Sequence, residues 1–263
     1  MLSRFDNLLV VFAIAGLIIF LAAFLIRPPK KPFIVPVADT IRRLLNEHVL
    51  FYRELPFDRK QEFEKRVERF LNTVRITGVG TTVEDHDEIL IAASAVIPIF
   101  NFPAWDYPNL KEVLLYADRF NNVEFNQHGE GRDILGMVGN GPYKNVMILS
   151  QPELRSSFAD PYRTTNVGIH EFSHLVDSMD GSYDGLPETL MQKKYVVPWL
   201  KLMREEMERI ATNQSDIDRY ALTNEAEFYA VVSEYFFTQP QMFKEKHPEL
   251  YMLMENMFRK QTK

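Results

Sequence analysis

Two histidines and a glutamate within five residues, His170-Glu171-Phe172-Ser173-His174, constrain this chain more than any other feature. On an α-helix residues four apart share a face, so both imidazoles can present a nitrogen to one ion. Glu171 sits beside the first histidine and can reach water at the ion rather than the ion itself. The chain is therefore expected to supply a helix here, and its flanks agree. Thr164, Thr165 or Asn166 can cap the start, and Gly181 lies past the end.

The competing reading is an amphipathic helix with two incidental histidines. Val167, Ile169, Phe172, Leu175 and Val176 surround the motif, which predicts burial. Buried imidazoles need polar partners, and a metal supplies one to both. The chain has no cysteine, which excludes thiolate ligands and disulfides. A zinc site here must then use histidine and carboxylate, and a catalytic one wants three protein ligands and an open position.

His48, His86, His128 and His247 stand in polar or isolated contexts and are expected at the surface. The candidates for a third ligand are the downstream carboxylates Asp177, Asp180, Asp184, Glu188, Glu225, Glu227 and Glu234. Glu227 and Glu234 are seven apart in the apolar run 224–237 and share a helix face. Carboxylates on a core helix are costly unless paired or metal-bound. Residue chemistry alone leaves the choice open.

A second feature is the run 7–26, which holds no charge and is dominated by Leu, Ile, Val, Phe and Ala. Twenty helical residues span a hydrocarbon core of roughly 30 Å. A cleaved leader would have a shorter apolar region and a small-residue cleavage site, whereas Arg27-Pro28-Pro29 follows here. Residues 1–27 are thus expected to be an uncleaved membrane anchor and 28–36, with four prolines, a stiff linker. Arg27, Lys30 and Lys31 follow the span and only Arg4 precedes it, which places 37–263 in the cytoplasm of a single-pass protein.

Hydrophobic residues make up 46% of the 263, with 20 Phe and 11 Tyr, enough for one packed domain beyond the anchor. The first 31 residues hold four basic side chains and one acid, so the rest carries 26 basic and 35 acidic, a balance of −9. An acidic domain without a basic stripe is not a nucleic-acid binder.

Helical spacing marks 37–50, through Ile41, Leu44, Leu45 and Val49, and 58–74, through Phe63, Val67, Phe70 and Leu71, with Asp58 as N-cap. Residues 84–100 form a third, nearly all-apolar helix, and the acids around His86 suit its N-terminus. Residues 113–116 and 145–149 are short β-type runs, with a turn at Gly136, Gly139, Gly141 and Pro142 before the second. Residues 196–210 are amphipathic, and 224–237 form an apolar helix closing near Pro240. The order predicts an α+β fold in which helix predominates.

The stretch 166–177, followed by Asp180-Gly181 and Asp184-Gly185-Leu186-Pro187, resembles the zinc-dependent peptidase family of Mlc titration factor A. So does 224–237, and the resemblance extends from about Phe57 to the C-terminus. It implies a zincin-like metallopeptidase fold related to the catalytic domain of anthrax lethal factor. It also implies Glu227 as third zinc ligand and Tyr220 as a tyrosine assisting the oxyanion. Some members carry another metal-associated histidine where this chain has Gly139, which leaves that position to water. The anchor is an addition to the soluble enterobacterial members, and their binding to a transcriptional repressor is not carried over.

The expected activity is hydrolysis of peptide bonds in a peptide or protein substrate, with one zinc per chain. His170, His174 and Glu227 hold the zinc, Glu171 is the general base to a metal-activated water, and Tyr220 assists. Residues 145–149 are expected to form an edge strand that pairs with extended substrate. The alternatives are a membrane-tethered interaction protein with a structural or degenerate zinc site, and a hydrolase of non-peptide amides or esters.

Overall fold

The computed structural model describes residues 37–118, 136–138 and 145–258. The expected anchor and linker, His128, Gly139 and the expected turn at Gly141-Pro142 lie outside the described residues. Among the described residues no helix is long and apolar enough to cross a membrane.

The chain opens with three helices, α1 (Val37–His48), α2 (Leu50–Glu54) and α3 (Phe57–Thr73). Phe63, Val67, Phe70 and Leu71 form the buried stripe of α3, as their spacing predicts. Its N-cap is Pro56 rather than Asp58, because proline fixes φ while Asp58 falls in the first turn, where a carboxylate suits the helix dipole. Strand β1 (Arg75–Val79) follows, then α4 (Asp85–Ile99). From Ile89 to Ile99 every residue of α4 is buried, which makes it the central helix. Its start is closed by a reciprocal capping box between Glu84 and Asp87. Arg155 and Gln151 then pair with the buried Asp87, so the acids near His86 serve structure.

Strands β2 (Glu112–Tyr116), β3 (Gly136–Val138) and β4 (Val146–Ser150) complete a four-stranded sheet in the order β1-β2-β4-β3. The pairs β1–β2 and β2–β4 are parallel, and β3 runs antiparallel to β4. Met147, Ile148 and Leu149 are all fully buried, the uninterrupted apolar run of an interior parallel strand. The expected edge strand at 145–149 is therefore an interior one, and β3 takes the edge beside it. The expected turn at Gly136 is part of β3.

Helix α5 (Gln151–Ala159) leads into α6 (Val167–Asp177), the motif helix. After it come α7 (Lys193–Ala211), α8 (Glu225–Thr238), α9 (Pro240–Lys246) and α10 (Pro248–Phe258). Helix α6 packs between α4 and α8. A Cβ at Gly168 would lie 2.1 Å from Ser94 Oγ, so glycine at the second position of α6 permits its close approach to α4. On the far side Trp199, Phe228, Tyr229, Tyr235, Phe243 and Met254 build a buried cluster from α7 to α10. The fold is α+β and predominantly helical, as the sequence predicts.

Candidate metal centre

Helix α6 begins at Asn166, whose Oδ1 accepts the Ile169 N–H at 3.0 Å. Helix α8 begins in the same way, with Asn224 Oδ1 accepting the Glu227 N–H at 2.9 Å. These two caps fix the first turns from which His170 and Glu227 project.

His170 Nε2 and His174 Nε2 lie 3.1 Å apart. Glu227 Oε2 lies 2.9 Å from the first and 3.2 Å from the second. Tetrahedral ligands at about 2.0–2.1 Å from one zinc stand roughly 3.3 Å from each other, so three donor atoms already meet the spacing a metal requires. Among the described residues these three form the one cluster of histidine and carboxylate able to hold an ion.

Glu234, the other carboxylate on that face of α8, approaches from behind. Its Oε1 lies 2.6 Å from His170 Nδ1, and its Oε2 accepts the backbone N–H of Asn166. Position, not residue type, separates the two: Glu227 meets the Nε2 atoms and Glu234 the Nδ1 atom.

The charge balance suits a cation. Burial works to raise the Glu227 carboxyl, but hydrogen bonds to His170 and His174 outweigh it and hold it at about 2. Burial opposes a charge on His170, yet Glu234 and Glu227 together drive its pKa well up. Burial pushes His174 down, towards the neutral form that ligates metals. The same burial raises Glu171 to about 8, against the pull of His170. A positive ion at the three donors would lower it towards neutrality, the range useful to a general base.

Tyr220 lies on a short 3-10 turn, Arg219–Leu222, where Asp218 Oδ1 accepts its N–H at 2.8 Å. Its ring is 5.9 Å from that of His170 and the residue is 54% exposed. A second tyrosine, absent from the sequence reading, flanks the other histidine: Tyr183 lies 5.0 Å ring to ring from His174. Its only sequence signal is a position between Gly181 and Gly185, shortly after the motif helix.

The other candidates serve elsewhere. Asp177 accepts the Gly185 N–H, Asp180 those of Ser182 and Glu188, and Asp184 that of Leu186. Glu188 and Glu225 are exposed. His48 and His86 lie 4.3 Å ring to ring, away from the cluster that could hold an ion. His247 is buried rather than at the surface, because Glu206 and Asp216 partner its ring.

The sequence profile of the glucose-regulated metallo-peptidase M90 family matches residues 31–259. An uncharacterized protein of Synechocystis sp., slr2042, is 25% identical over 239 residues, covering 87% of this chain and 86% of its own. Mlc titration factor A of Escherichia fergusonii is 29% identical over 202 residues, covering 70% of this chain and 72% of its own. The Escherichia coli protein of that name is 28% identical over 213 residues, covering 73% and 77%.

Proposed function

Because the chain belongs to the glucose-regulated metallo-peptidase family M90, we propose that it is a zinc-dependent peptidase tethered to a membrane by residues 7–26. The linker is 28–36, and the catalytic domain, 37–263, faces the cytoplasm. The observation that carries the reading is the meeting of His170 Nε2, His174 Nε2 and Glu227 Oε2 within 3.2 Å of one another, next to a buried Glu171.

His170, His174 and Glu227 hold the zinc. When bound, zinc supplies Lewis acidity, lowering the pKa of water towards about 7 and drawing charge from a scissile carbonyl. Glu171 takes a proton from the attacking water and delivers it to the leaving amine as the C–N bond breaks. The Tyr220 hydroxyl donates a hydrogen bond to the carbonyl oxygen as charge grows there. Glu234 accepts from His170 Nδ1 and so keeps the Nε2 lone pair aimed at the ion. Strand β3, at the sheet edge, offers backbone groups to an extended substrate.

A second reading, a tethered binding protein, draws on the name Mlc titration factor A carried by two of the relatives. The relevant partner would then be an Mlc-like protein. Glu171 favours the enzyme, since a purely structural site has no use for a buried carboxylate beside an open position. Peptide-library cleavage by the zinc-loaded full chain tests the choice. Hydrolysis that depends on Glu171 supports the peptidase, and a zinc-loaded chain that cleaves nothing supports the binding protein.

A further inference from the structure

A cavity of about 360 Å³ lies between α3, α4 and the segment 106–111. That volume falls in the range of small-molecule sites, roughly 300–1,000 Å³. Two of its lining rings also touch the motif helix: Phe70 and Tyr107 pack on Phe172 at 5.7 and 5.0 Å, ring to ring. Val96 and Ile99 of α4 and Leu110 give it an apolar wall.

The charged groups of the lining are Arg66, Arg69, Lys111 and Asp106. Three cations against one carboxylate leave an excess of two positive charges, in a domain whose own balance is negative. Arg69 takes Asp106 as its partner. Arg66 donates to the carbonyls of Ile99, Phe100 and Trp105 at 2.8, 2.9 and 3.2 Å. Lys111 Nζ donates to the Pro108 carbonyl at 2.7 Å. Carbonyls satisfy these donors without neutralising them, and among the described residues no carboxylate pairs with either Arg66 or Lys111.

A charge in such a place is costly unless an anion meets it. Burial works against the Arg66 guanidinium and lowers its pKa. The competing reading is a cap: Arg66 closes the C-terminal end of α4, where the helix dipole offsets part of its charge. A cap accounts for Arg66. It accounts neither for Lys111 at the same cavity nor for the cavity itself.

We propose that this cavity binds a small organic anion, with its carboxylate or phosphate group among Arg66, Arg69 and Lys111 and its apolar body against Val96, Ile99 and Leu110. Arginine and lysine are the usual partners of both anionic groups. The ligand would sit against the rings that support Phe172, on a face of the domain separate from the three donor atoms of the metal centre.

The test is calorimetric titration of the zinc-loaded full chain with phenyl phosphate, benzoate, inorganic phosphate and phenol. We expect saturable binding of phenyl phosphate or benzoate, tighter than that of inorganic phosphate and of phenol. The better of the first two identifies the anionic group. Lys111→Glu is expected to weaken that binding at least about fivefold, the effect of exchanging one partly exposed attraction for a repulsion. Lys193→Glu, the same charge change on α7, should leave it unaltered. Thermal unfolding is followed alongside, and if Lys111→Glu fails to fold, Lys111→Gln and Arg69→Gln carry the test, each with a smaller loss. The proposal is overturned if no probe binds saturably, if phenol or inorganic phosphate binds as tightly as the organic anions, or if the variants at 69 and 111 bind like wild type. Displacement of the bound probe by acetohydroxamate, a zinc ligand, also overturns it, by placing the anion at the metal centre.

Discussion

Glu234 Oε1 lies 2.6 Å from His170 Nδ1 while its other oxygen takes the Asn166 N–H, so one carboxylate sets both the ring and the helix that carries it. Glutamine at 234 has one acceptor oxygen for these two donors. Loss of such a support typically costs about 10–100-fold in metal affinity. Glu234→Gln is expected to fall in that range and Glu227→Gln to lose more, measured by competition with a chelator of known affinity. The reverse order would place the third ligand at Glu234.

Close packing of α6 on α4 gives a stability prediction. Gly168→Ala puts a methyl group against Ser94, and overpacking a tight core costs about 1–3 kcal/mol. The urea midpoint should fall accordingly. Gly168→Ala with Ser94→Gly should recover part of the loss, whereas an unchanged midpoint in the single variant would mean the helices move apart at no cost.

His247 makes stability depend on pH. Burial works to lower its pKa, but the carboxylates of Glu206, 3.3 Å from Nδ1, and Asp216, hydrogen-bonded to Nε2, outweigh burial and raise it. A raised histidine binds its proton more tightly in the folded chain. Its contribution is complete below the unfolded value of about 6.5 and is lost as pH rises through the folded value. Thermal unfolding between pH 6 and 9 should show wild type losing stability relative to His247→Gln. A constant difference between the two across that range would contradict the assignment.

These features were unevenly legible in the sequence. The motif helix, its Asn166 cap and the buried stripe of α3 follow from spacing, because apolar periodicity and capping are local. The apolar run at 145–149 was legible as a strand, but its place inside the sheet depends on its neighbours β2 and β3, the latter only three residues long. Glu227 and Glu234 share a face and a composition, so only the packing of α8 on α6 distinguishes their oxygens. His247 reads as polar because its partners, Glu206 and Asp216, are 41 and 31 residues away. Tyr183 was illegible for a similar reason: its contact with His174 exists only once the loop is pinned at Gly185.

The tether is tested by topology. An uncharged span with the basic residues after it predicts that the protein fractionates with membranes and that a C-terminal reporter behaves as cytoplasmic. A mature N-terminus near residue 30, found by mass spectrometry, would instead indicate a cleaved leader.

The central claim is that Glu171 does chemistry and does not hold the metal. Glu171→Gln keeps size and most hydrogen bonding but removes the basic carboxylate, and general-base assistance is worth about 10²–10⁴-fold in rate. The direct measurement is turnover of one peptide by wild type and Glu171→Gln, with zinc content and thermal stability taken on the same samples. The account predicts full zinc, unchanged folding and a loss of at least about 100-fold in turnover. Equal turnover in the two proteins at equal zinc content would contradict it.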